Sequence, residues 1–163
     1  MFGLTPLGLV HTAISLVALW TGLHSLLRGG AIDPRGGLGR IYLWATVLTC
    51  LTSFGIFRHG GFNAGHGLGV LTLLVVGVAL LPLRAAWWRY AQTLLWTLTL
   101  FLHMVPGLNE TFTRLPVGAP LFTGPDDPRL QASIGVVFVV FAVVMLLQLL
   151  QMWRSRPMVA RSA

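Results

Sequence analysis

The sequence predicts an all-helical integral membrane bundle of five transmembrane helices, with the N-terminus outside and the C-terminus in the cytoplasm. Three observations carry that prediction. The 163 residues are 55% hydrophobic and 9% charged, with a mean hydropathy of +0.79, too apolar for a soluble domain. Five apolar runs of about 20 residues, the length that crosses a bilayer, follow one another. The charges sit at the ends of those runs and fall unevenly between the two sides.

The spans are read as Leu4–Leu27, Leu38–Phe57, Gly65–Leu83, Tyr90–Leu108 and Ile134–Trp153. In the first, His11, Ser15, Ala18, Gly22 and Ser25 recur at helical spacing as one small-polar stripe, the kind of face that turns toward other helices in lipid. The run is too long for a signal-peptide core and has no basic leader, so it is expected to stay in the protein. Tyr42, Thr46, Thr49 and Ser53 form the same stripe in the second span. The third offers Gly65, Gly69 and Gly77 as a close-approach seam, and the fourth presents Thr93, Thr97, Leu100 and His103 on one side. From Ile134 to Leu147 the fifth is apolar all round except for Gly135, which suits a peripheral, lipid-facing helix. Residues 109–133 hold four prolines and are read as an outer loop, a connector or a structured lid, and residues 154–163 as a basic tail.

Orientation follows the arginines, which supply all eleven basic side chains. Arg28, Arg35, Arg40, Arg84, Arg89, Arg154, Arg156 and Arg161 lie on one side, and Arg58, Arg114 and Arg129 on the other. The richer side is cytoplasmic by the positive-inside rule. Trp87, Trp88 and Trp153 stand where an interfacial aromatic belt is expected.

Several chemistries are excluded. The formal charge of +7 is spread over helix ends rather than one basic face, so no nucleic-acid partner is expected. A single cysteine, Cys50, builds neither a disulfide framework nor a thiolate metal site. No Asp or Glu lies mid-membrane to drive an ion pump, and the intramembrane serines lack an acid–base pair.

Histidines are the most informative polar residues. His11, His66 and His103 fall on three different spans within roughly 10 Å of the outer surface, taking about 1.5 Å of rise per residue. His59 lies in the adjoining short loop, and Glu110 follows His103 by two turns. Imidazoles with one carboxylate suit a transition metal ion such as Zn, Fe or Cu, and imidazoles on facing helices can hold a haem. His11, His66 and His103, with Glu110 for a metal, are therefore the candidate ligands. The ordinary alternative is that each imidazole only bonds a neighbour in helix packing. His24 stands thirteen residues from His11, about 140° round an ideal helix, and no second inner histidine completes a transmembrane two-haem ladder.

The stretches Gly39-Arg40-Ile41-Tyr42 and Leu51-Thr52-Ser53-Phe54-Gly55-Ile56-Phe57-Arg58, with Gly61-Phe62 before His66, resemble a group of small polytopic bacterial inner-membrane proteins catalogued as a domain of unknown function. The resemblance covers roughly residues 36–108 and implies that location and architecture, with no reaction attached. Gly36-Gly37 and Trp87-Trp88-Arg89 stand where that group often has His-Arg pairs.

The functional expectation is a non-enzymatic, multi-pass plasma (inner) membrane module. Its outer histidine cluster is expected to bind a metal ion or haem. The rival is a structural or accessory subunit whose stripes pack against a membrane-protein partner or a second copy. A third reading is a small-solute or proton-coupled carrier.

Overall fold

The computed structural model describes residues 5–57 and 61–155. The described residues are helical, with no strand: α1 Pro6–Gly29, α2 Gly37–Ser53, α3 Ala64–Ala79, α4 Trp88–Phe112 and α5 Pro128–Arg154. Local chemistry sets the ends. Thr5 caps α1 by accepting from the Gly8 N–H, with Pro6 at the first helical position, and Gly30 closes the helix in the left-handed region at φ 69°. A β-carbon at Gly39 would overlap the Asp33 carbonyl, which is why the 30–36 turn can fold so tightly onto α2. Asn63 opens α3 through a capping box with His66.

Four helices form a closed ring in which α1 packs on α2, α2 on α3, α3 on α4 and α4 back on α1, while α5 touches α4 alone. The ring is held at its centre by Tyr42, Trp96, Leu100 and Ala18, all essentially inaccessible. Tyr42 meets Trp96 edge-on with ring centroids 6.4 Å apart, and its hydroxyl donates to Thr99 Oγ1 at 2.7 Å; the Thr99 proton itself goes to the Trp96 carbonyl. The small-polar stripes of α1 and α2 do face inward: Ala18, Gly22, Tyr42, Thr46 and Thr49 are buried. So do Thr97, Leu100 and His103 of α4.

As expected, α5 is peripheral. Phe138 and Phe141 pack on Phe101 of α4 at 5.7 Å between centroids, whereas Val136, Val139, Val140, Val143 and Leu147 are exposed. Gln148 anchors it, accepting from the Thr97 hydroxyl at 2.9 Å and donating to the Gly30 carbonyl at 2.7 Å, and the Tyr90 hydroxyl of α4 donates to the Met152 carbonyl at 3.4 Å.

Several sequence expectations are corrected. Only α1, α4 and α5, of 24, 25 and 27 residues, are long and apolar enough to cross a membrane by themselves. The second and third segments form helices of 17 and 16 residues, about 24–26 Å against a hydrocarbon core of about 30 Å. The third does not reach Leu83, because Pro82 disfavours helical backbone at Leu81 and the helix ends at Ala79. Gly77 is exposed, with nothing within 4 Å of where its β-carbon would stand, so the α3 seam is His66, Gly69, Thr72, Val76 and Ala79 instead.

Trp88 is buried rather than belted, donating its indole N–H to the Leu81 carbonyl at 2.9 Å, while Trp87 and Trp153 are exposed. α4 runs on through Pro106 to Phe112, and α5 begins six residues earlier than Ile134, at the Asp127-Pro128 cap. The connector is thus residues 113–127, and it is folded. The Asp127 carboxylate receives the Thr123 backbone N–H, the Arg129 backbone N–H and the Arg129 guanidinium, and Phe122 packs on Phe112 at 4.9 Å. The expectations for Leu4, Arg58, His59 and the tail beyond residue 155 lie outside the described residues.

A histidine-lined cavity at one end of the ring

The end of the ring made by the start of α1, the end of α2, the start of α3 and the end of α4 frames a partly open cavity of about 690 Å³. His11, His66 and His103 all line it, as does Glu110. Leu16, Leu19, Leu68, Leu102 and Met104 give it apolar walls, and Ser15, Thr49 and Thr72 add hydroxyls. Of the segment read from the sequence as the outer loop, Glu110, Thr111 and Arg114 line it, and no residue of 115–127 does. His24 is at the opposite end of α1, stacked on Trp20 at 6.0 Å, and takes no part.

Each imidazole is set differently. His11 Nδ1 lies 2.9 Å from Thr52 Oγ1. Thr52 Oγ1 also lies 2.8 Å from the Leu48 carbonyl and 3.0 Å from the Thr49 carbonyl, so which group donates in its bond to His11 follows the His11 tautomer.

His66 differs. Its Nδ1 accepts the Asn63 backbone N–H at 3.3 Å, which leaves the proton of the neutral ring on Nε2. Phe57, Phe62 and Phe54 stack around the ring at 5.2, 5.4 and 6.3 Å. His103 packs against Tyr42 at 6.4 Å.

His66 and His103 are only 3% and 6% exposed. The Nε2 atoms of both are buried without a hydrogen-bond partner among the described residues. A buried polar atom left unpaired costs about 1–3 kcal/mol.

The expected metal centre is not assembled. Among the described residues no group of three His, Cys, Asp or Glu side chains is close enough to share an ion. Glu110 is instead ion-paired with Arg114, one turn on. A ligating imidazole ordinarily donates its second nitrogen to an acceptor. His66 does the opposite, since its second nitrogen meets a backbone donor, so neither a metal ion nor a haem iron finds a lone pair at His66 Nε2.

Sequence reasoning found the three histidines but missed Thr52, the partner of His11, and Asn63, whose backbone N–H donates to His66 Nδ1. For Asn63 a signal existed: a capping residue three positions before a polar side chain at the start of an apolar run. Comparisons of the chain with protein-family models, with curated proteins and with solved structures gave no match.

Proposed function

We propose that this chain is a bacterial inner-membrane protein that crosses the bilayer five times, N-terminus outside, and binds a neutral, lipid-soluble small molecule in the histidine-lined cavity. The observation that carries the binding reading is one cavity lined by His11, His66 and His103 between leucine-rich walls. A volume of about 690 Å³ falls in the range of small-molecule pockets, about 300–1,000 Å³. The only formally charged lining residues among those described, Glu110 and Arg114, neutralise each other. Nothing is left over to hold a carboxylate, a phosphate or an ammonium, and the leucine-rich walls favour an apolar body.

Five spans are supported by the ring itself, because the short α2 and α3 close it between α1 and α4; local bilayer thinning accommodates short helices at a modest cost. Orientation rests on the arginines. The end of α1, the start of α4 and the end of α5 meet at the pole where Gln148 bonds Gly30, and Arg28, Arg89 and Arg154 lie there, opposite the cavity.

The test is solvent extraction of the purified, nanodisc-embedded protein followed by mass spectrometry. A neutral compound at about one per chain is expected in the wild type. It should be lost from Ser15→Phe, which fills the chamber, and reduced in His103→Gln, with melting temperatures confirming that both variants fold. Extracts that are the same for all three overturn the binding reading and favour the accessory-subunit one.

A further inference from the structure

We infer that the pole opposite the histidine cavity holds the phosphate head group of an anionic phospholipid, in a second and smaller pocket between α1, α4 and α5. This rests on the membrane-spanning reading above, and on neither the orientation of the chain nor the occupant of the histidine cavity. The pocket, about 260 Å³, is lined by Gly30 after α1, Arg89 and Thr93 of α4, and Gln148, Gln151 and Ser155 at the end of α5. Two bonds fix its walls. Gln148 Nε2 donates to the Gly30 carbonyl at 2.7 Å, joining the ends of α1 and α5, and the Tyr90 hydroxyl donates to the Met152 carbonyl at 3.4 Å, joining α4 to α5.

Charge selects the guest. Arg28, Arg35, Arg40, Arg84, Arg89 and Arg154 stand at the helix ends and turns of this pole, against one acid, Asp33, among the described residues. Both ion pairs among the described residues, Arg114 with Glu110 and Arg129 with Asp127, lie toward the other end. The six arginines are thus left for an external anion, and Arg89 is the one that lines the pocket. Thr93 and Ser155 give their hydroxyl protons to the Arg89 and Gln151 carbonyls, which leaves the Arg89 guanidinium and the Gln151 amide to donate. A phosphodiester offers acceptors only, and a guanidinium matches it. Repulsion from the end of α1 is reduced, because the Leu26 carbonyl receives the Gly30 N–H at 2.9 Å and the Gly30 carbonyl is taken by Gln148.

Size points the same way. Pockets that take whole small molecules run to about 300–1,000 Å³; this one suits a head group whose acyl chains stay in the bilayer. Leu146, Leu147 and Leu150 are exposed on the same stretch of α5, and Trp87 and Trp153 are exposed at the same pole, as aromatic residues at a lipid head-group level are.

The experiment is native mass spectrometry of the delipidated full chain in detergent, titrated with dioleoyl phosphatidylglycerol or dioleoyl phosphatidylcholine. One phosphatidylglycerol per chain is expected to stay bound at concentrations where phosphatidylcholine, whose ammonium cancels its charge, does not. Arg89→Gln should weaken that first lipid about fivefold, the worth of one basic side chain at an anionic surface. Arg40→Gln, at the same pole but outside the pocket, should leave it unchanged, and both variants should melt as the wild type does. Millimolar inorganic phosphate should not displace the lipid.

Equal retention of the two lipids, or equal weakening by Arg89→Gln and Arg40→Gln, overturns the pocket and leaves the membrane reading standing. Displacement by inorganic phosphate, with phosphate itself bound in an Arg89-dependent way, overturns the lipid as its source. A chain that stays monodisperse without detergent or lipid overturns the membrane reading and this inference with it.

Discussion

Gly22 of α1 and Tyr42 of α2 meet with no room for one more carbon. A β-carbon at Gly22 would lie 2.7 Å from Tyr42 Cε2 and 2.9 Å from Leu100 Cδ1. The Tyr42 ring cannot swing aside, since its hydroxyl is held by Thr99 and its edge by Trp96. Gly22→Ala is expected to destabilise the bundle by about 1–3 kcal/mol, the usual cost of overpacking, and to lower the melting temperature in detergent by several degrees. Gly77→Ala, with open space at its β-carbon, should be neutral or slightly stabilising because it improves helix propensity.

Gln148 ties α5 to two other places at once, the Thr97 hydroxyl and the Gly30 carbonyl. Gln148→Leu keeps the side-chain bulk and removes both bonds. Interhelical hydrogen bonds in membranes average about 0.6 kcal/mol each, so an SDS-unfolding titration should show a loss of about 1 kcal/mol. An unchanged titration would mean that the two Gln148 bonds add nothing to the packing of Phe138 and Phe141 on Phe101.

Asp127 organises the connector between α4 and α5. The hydrogen bond from the Arg129 guanidinium, followed by that from the Thr123 N–H, holds its carboxyl well below the ordinary 3.8, and Arg129 is pushed up in return. A carboxyl depressed in the folded state stabilises fully above 3.8 and loses that contribution as pH falls through the folded-state value. A spin label at Leu121→Cys, in a Cys50→Ala background, should be immobile from neutral pH down to about 4 and grow mobile below it. Asp127→Asn should be mobile already at pH 7.

The proposed topology predicts that a reporter fused after Ser155 is active only in the cytoplasm, and that one inserted at Val117 is active only outside. The reverse pattern would place the histidine chamber at the cytoplasmic boundary and sink the orientation while leaving the cavity untouched.

What could be read from residues alone divides along a physical line. Burial faces were legible, because Ala18, Tyr42, Thr46, Thr97 and Leu100 fall at helical spacing and lipid leaves small and hydroxyl residues no better direction than inward. That His11, His66 and His103 lie toward the same end of the ring was legible from depth. Their chemistry was not, since it depends on which nitrogen is occupied by Thr52 and Asn63, partners that hydropathy cannot assign. Helix ends were misread where proline decides: Pro82 ends α3 early and Pro128 starts α5 early, and an apolar window is blind to both. Gln148 escaped because it stands one residue past an uninterrupted apolar run.

The fifth helix contributes no wall to the chamber: every residue that does lies between Thr5 and Arg114. During synthesis the compartment is therefore fully encoded before the last segment leaves the ribosome. α5 arrives afterwards as a buttress against α4.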